Sequence, residues 1–179
     1  GVPMDGEGMD MDALEQALRL EKSVKFIYTI PNFQNPMGVT LSAARRRRMY
    51  DLAEQYDVMI LEDDPYGRLR YSGTPVDAIK TLDRSERVIY TGSFSKIIAP
   101  GIRVAYLCAP KELMAKMVVA KQCVDVHTNM LSQVLVYEYL TRYDLDAHIR
   151  QCCDHYRVKR DAMLMAIERY FPAEVAVTR

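Results

Sequence analysis

Four stretches of the chain concentrate β-branched and aromatic residues, and between them apolar positions recur at helical spacing. "VKFIYTIP" (24–31) reads as a strand closed by Pro31 and by the turn formers of "NFQNPMG". "VMILED" (58–63) is a short apolar strand ending in acids, and "RVIYTGS" (87–93) and "RVAYLCAP" (103–110) read as two more. A helical pattern in "MDALEQALRLEK" precedes the first strand. The helix after it starts near Thr40 or Ser42 as N-cap, with Met49, Leu52, Ala53 and Tyr56 on one stripe. Its "RRRR" (45–48) wraps around the helix and is expected to form a solvated basic face. Three helical segments follow, at roughly 110–123, 130–142 and 146–170. The last carries Ile149, Cys152, Tyr156, Met163, Ile167 and Tyr170 on one face. Strands that read as buried, separated by helices, predict an α/β fold with a mostly parallel sheet sandwiched by helices.

Composition changes this picture little. The 179 residues amount to one domain or most of one, with 49% hydrophobic and 27% charged residues. Net charge is zero, so neither nucleic acid nor an anionic membrane is expected as the main partner. No run approaches the ~18 apolar residues of a membrane span, and no signal peptide is expected from the opening residues. Cys108, Cys123, Cys152 and Cys153 show no CxxC spacing, and with three histidines no metal site is expected. The adjacent pair Cys152 and Cys153 is an awkward disulfide framework, which favours a reducing, cytoplasmic setting. The chain opens on the turn-rich "GVPMDGEGMD" and stops as a strand-like run begins in "FPAEVAVTR", ends that fit an independent domain and a fragment of a longer chain equally.

In parallel α/β sheets, ligands bind beyond the carboxyl ends of the strands. That rule selects three strand ends: "NFQNPMG", "EDDPYG" and "GSFSK". The third belongs to "TGSFSKIIAPGIR" (91–103), where Ser93, Ser95, Lys96 and Arg103 are set in a run apolar enough to be core. It lacks the GxxxxGK[ST] spacing, and no GxGxxG occurs in the chain, so neither nucleotide motif is present.

"NPMG", then "DDPY", then "SFSK" with an arginine seven residues after the lysine, resembles the signature series of fold-type I pyridoxal-phosphate enzymes, most closely the class I/II aminotransferases. The order and the separations, 28 residues from Asn35 to Asp63 and 33 from Asp63 to Lys96, carry the resemblance. It covers roughly residues 1 to 175. It implies pyridoxal phosphate as cofactor, with Lys96 forming the Schiff base and then shuttling the α-proton. An apolar strand end would help such an amine shed its proton. The family pairs an aspartate with a tyrosine three residues on, which points to Asp63 against the pyridine nitrogen and to Tyr66. Alternation agrees in part, since Glu62 and Asp64 would point to the other side of an extended strand. Tyr66 and Asn35 would bond the ring's phenolic oxygen, although Asn35 also reads as a turn residue before Pro36. Ser93 and Arg103 would take the phosphate, with Ser95 either joining them or supporting the loop. Pro100 and Gly101 would bend the chain so that Arg103 returns to the same pocket.

The resemblance further implies an amino acid and a 2-oxo acid as substrates and a homodimer in the full-length protein. A lyase of the same fold, or the ligand-sensing domain of a bacterial transcription regulator, shares these features. The domain division it implies is a partial cofactor-binding domain at 1–145, with a linking helix and the start of a small domain at 146–179. The family's phosphate cup, its ring-stacking aromatic and the arginine for the substrate's carboxylate belong to segments outside this sequence, and Arg179 is not given that last role. The 179 residues alone are therefore expected to be weakly active or inactive.

Overall fold

The computed structural model describes residues 1–175 and Val177, so Arg179 and part of the closing strand-like run lie outside the described residues. A short antiparallel pair, β1 (Met4–Asp5) and β2 (Gly8–Met9), opens the chain where the sequence reads only as turns. Next come α1 (Met11–Leu20), β3 (Phe26–Thr29), α2 (Ala43–Gln55), β4 (Met59–Asp63), β5 (Val88–Ser93) and β6 (Ala105–Cys108). Three helices complete it: α3 (Lys111–Asp125), α4 (Met130–Arg142) and α5 (Leu145–Tyr170). Ser42 is the N-cap of α2, its Oγ accepting from the Arg45 N–H, and Asp10 caps α1 in the same way through Asp12 and Ala13.

β3, β4, β5 and β6 form one sheet in that order, the first three parallel and β6 antiparallel at the edge, so the sheet is mostly parallel. Register places Ile27, Ile60 and Val88 in one row. They pack against Met49, Leu52 and Ala53 of α2 and Leu14 and Leu18 of α1, all buried. The opposite face carries Tyr28, Asp63 and Thr91, because successive strand residues alternate sides. At the edge, a Cβ on Gly92 would lie 2.4 Å from the Tyr106 ring, so only glycine lets this aromatic cross β5.

Two sequence expectations are corrected here. The four arginines do not form a solvated face: Arg46 is 1% exposed. Its guanidinium donates to the carbonyls of Leu41, Pro31, Val76 and Asp77 and to Asn32 Oδ1. Three loops turn backbone oxygens inward at that point, and a fork-shaped donor satisfies them together. Arg45 pairs with Asp5 and Arg48 with Glu15, which leaves only Arg47 as a plain surface charge. The apolar face of α5 is also shorter than its pattern. Ile149 and Cys153 are buried, with Cys152 only partly so, while Tyr156, Met163 and Tyr170 are exposed. A 26-residue helix is about 39 Å long, and it outruns the body it packs on.

Glu62 is buried beside this network and accepts from the Ile79 and Lys80 N–H groups, both at 2.8 Å. Burial pushes its carboxyl up, opposed by those two donors and by the charge of Arg46.

Replacing Arg46 by Met keeps the apolar stem but leaves the buried carbonyls without donors. Arg46→Met should destabilise the protein by at least about 3 kcal/mol in urea unfolding, against about 0.5 kcal/mol or less for Arg47→Met. Equal midpoints for the two variants would contradict the anchoring role.

Candidate active site

Asp63 closes β4 on the sheet face turned away from α2. Tyr28 Oη of β3 donates to its Oδ2 at 2.8 Å, and Thr91 Oγ1 of β5 donates to its Oδ1 at 2.9 Å. Among the described residues no lysine or arginine pairs with it. The Tyr28 phenol is pushed up to about 12, by burial first and then by the bond to Asp63 and its charge. Tyr66 adds to that push, which puts it near the same pair.

Glu62 and Asp64 serve the fold. Asp64 Oδ1 accepts from Asn32 Nδ2 at 3.0 Å and from the Gly67 N–H at 2.9 Å. In this turn a Cβ on Gly67 would lie 2.5 Å from the Asp64 carboxylate, so a larger residue there would push that carboxylate off its bonds. The turn carries Tyr66, so Asp64 sets where that phenol leaves the strand end.

The run after β5 is not core throughout. Residues 94–99 form a tight turn in which the Ile98 and Ala99 N–H groups both donate to Phe94 O. Ile97 is buried against Ile149 and Cys153 of α5, with Phe94 and Ile98 partly buried beside it, and Lys96 is thereby turned out and exposed. The apolar residues of this run serve the α5 contact, so the expected burial of the amine is not found. Ser93 Oγ accepts from the Ser95 N–H at 3.0 Å, which ties the two serines together. Pro100–Ile102 makes a single 3-10 turn, after which Arg103 takes a left-handed conformation at φ 55°. The chain then returns alongside β5, with the Phe94 N–H donating to Val104 O and Ser93 facing Ala105. Arg103 stands two residues before the partner of Ser93, is exposed, and its guanidinium donates to Pro100 O at 3.3 Å.

A cleft of about 1040 Å³ is lined by Tyr66, Ser95 and Lys96 together with Phe33, Arg70 and Tyr156. Asn35, Asp63, Ser93 and Arg103 stand outside that lining, although Phe33 and Gly38 on either side of Asn35 belong to it. Asn35 is exposed and precedes a cis peptide to Pro36. Arg70 lies 4.5 Å over the Phe33 ring and fixes that wall of the cleft.

Sequence reasoning missed Tyr28 and Thr91. The signal was present in strand parity, because Thr91 stands two residues before Ser93 on one face and Tyr28 lies between the inward-facing Ile27 and Thr29. Their convergence on Asp63 depends on a parallel register that no motif encodes.

The aminotransferase class I and II family profile matches residues 2–160. The chain is 50% identical to aromatic-amino-acid aminotransferase 1 of Thermococcus litoralis over 99% of its own length and 44% of the relative's. It is 40% identical to the 2-aminoadipate transaminase of Thermus thermophilus, over 99% of the chain and 45% of the relative. In three dimensions it superposes on the kynurenine aminotransferase of Pyrococcus horikoshii with a TM-score of 0.93 at 45% identity, covering 98% of this chain and 44% of that one. The chain thus spans less than half the length of these relatives.

The two aspartates should separate in stability. Asp64→Ala removes the acceptor for Asn32 and Gly67 and should cost about 1–3 kcal/mol. Asp63→Asn keeps an oxygen for Thr91 and should change stability by about 0.5 kcal/mol or less. Chemical denaturation of both variants checks this, and a larger loss from Asp63→Asn would reverse the division of labour.

Proposed function

The chain belongs to the class I and II aminotransferase family, and on that premise we propose that the protein moves an amino group between an amino acid and a 2-oxo acid, with pyridoxal phosphate held at Lys96. The observation that carries this reading is the setting of Asp63: a carboxylate held by two neutral hydroxyls and, among the described residues, no cation, one strand away from the turn bearing an exposed amine. The residues present fit the cofactor. Lys96 offers a primary amine for an aldehyde, Asp63 a charge for a protonated ring nitrogen, and Tyr66 a phenol from the same cleft. Arg103, with no carboxylate partner among the described residues, offers a guanidinium for a phosphate beside Ser93.

When bound, the cofactor supplies an electron sink for the negative charge that develops at the substrate's α-carbon. The chain's own residues do the rest. Lys96 Nζ would hold the cofactor and, once freed, would carry the proton from the substrate's α-carbon; such transfers typically contribute ~10²–10⁴-fold. Asp63 keeps the ring nitrogen protonated by charge and hydrogen bond. Tyr66 and Asn35 favour the ionised ring oxygen, and Ser93, Ser95 and Arg103 grip the phosphate. The matched relatives' names cover aromatic amino acids, 2-aminoadipate and kynurenine, and these are the donors to assay.

The assembly is read as a homodimer: large apolar side chains on α3 and α4, among them Val118, Val119, Leu131 and Leu135, are exposed and call for cover. The exposed second half of α5 suits a helix that leads from the cofactor domain, ending near residue 145, into a smaller one. A cytoplasmic setting is supported by the four cysteines, all free, and no helix among the described residues is long and apolar enough to cross a membrane.

Borohydride reduction of the protein after incubation with pyridoxal phosphate, followed by peptide mapping, tests the assignment. The stable adduct should sit on Lys96. An adduct on another lysine, with Lys96 unmodified, would overturn the reading.

A further inference from the structure

Asp63 is gripped from both neighbouring strands by hydroxyls to which the chemistry above gives no role. Tyr28 Oη reaches Oδ2 from β3, and Thr91 Oγ1 reaches Oδ1 from β5. We propose that Tyr28 is a positioning residue whose phenol, acting with Thr91, holds the Asp63 carboxylate aimed at the protonated ring nitrogen of the cofactor. The inference rests on the reading of Asp63 given above.

Capacity comes first. A carboxylate accepts about four hydrogen bonds, so one donor on each oxygen fixes the plane of the group and leaves room for a ring N–H. The kind of donor matters as much. A lysine or arginine at this point would neutralise Asp63 and compete with the ring cation. A neutral hydroxyl favours the ionised carboxylate through its hydrogen bond while leaving the negative charge available. Tyr28 also remains a donor: with its phenol pushed up to about 12, it stays protonated throughout the neutral range. Finally, position 28 faces away from the core. Tyr28 is 49% exposed while Ile27 and Thr29 on either side are buried, so its hydroxyl is not there to fill space.

The test uses the holoenzyme reconstituted with ¹⁵N-labelled pyridoxal phosphate. In Tyr28→Phe the ring-nitrogen resonance should move toward the unprotonated position at fixed pH. The kcat should fall about tenfold, the scale of one hydrogen bond to a charged group, with KM little changed. Thr91→Val should move the resonance in the same direction, and Thr91→Ser should restore it. If Tyr28→Phe does not fold, 3-fluorotyrosine at position 28, a stronger donor of nearly the same shape, should move the resonance the opposite way. An unmoved resonance in the Tyr28 variants overturns the proposal, even if kcat falls, provided that Asp63→Asn moves it. If Asp63→Asn also leaves it unmoved, the assignment of Asp63 itself is lost.

Discussion

One buried guanidinium sets the geometry on which the site depends. Arg46 reaches from α2 under the carboxyl ends of β3 and β4 and gathers oxygens from the segments around Pro31, Leu41 and Val76. Loops at this end of a parallel sheet are bare backbone that must be satisfied without a covering strand. A single five-donor side chain does this for three of them at once. Through Asn32, which accepts from Arg46 and donates to Asp64, the network extends to the Gly67 turn and so to Tyr66. Asn35 follows three residues after Asn32 in the same anchored loop. The residues proposed to carry chemistry at two strand ends, Asn35 and Tyr66, are thus held by groups with no proposed part in it.

The sheet itself supplies the second constraint. Parallel pairing in register aligns Tyr28, Asp63 and Thr91 on the face that α1 and α2 do not cover, while Ile27, Ile60 and Val88 fill the other. The Asp63 carboxylate there is bonded yet not sealed in. Two residues beyond Thr91, the same face leads to Ser93, and the turn after it expels Lys96 by burying Ile97. Charge, hydroxyls and amine therefore share one end of the sheet as a result of strand parity and one tight turn.

Much of this was legible in the sequence, and the parts that were not share a cause. The strands around Tyr28, Ile60 and Ile89 and the helix capped by Ser42 announce themselves through local pattern. The family resemblance sets Asp63 apart from Asp64 by its spacing to Tyr66, and the two take different neighbours in the structure. Arg46 was not, because an arginine within a run of four looks like surface until the loops it serves are assembled from residues 31, 41 and 76. The exposure of Lys96 was hidden for a similar reason: Phe94, Ile97 and Ile98 read as core, and they are, but for a helix some fifty residues later. The 3-10 turn at Pro100–Ile102 and the opening β1–β2 pair gave too few residues for any period to register. The roles of Tyr28 and Thr91 lay in cross-strand register, which local pattern does not specify.

The central claim is that Asp63, and neither Glu62 nor Asp64, faces the ring nitrogen of a cofactor joined to Lys96. A crystal structure of the protein grown with pyridoxal phosphate measures this directly. The ring nitrogen should lie about 2.7–2.9 Å from an Asp63 carboxylate oxygen, the range of a charge-assisted bond, with density continuous from the ring to Lys96 Nζ. A ring nitrogen facing Asp64 or solvent, or a cofactor joined to a different lysine, would contradict it.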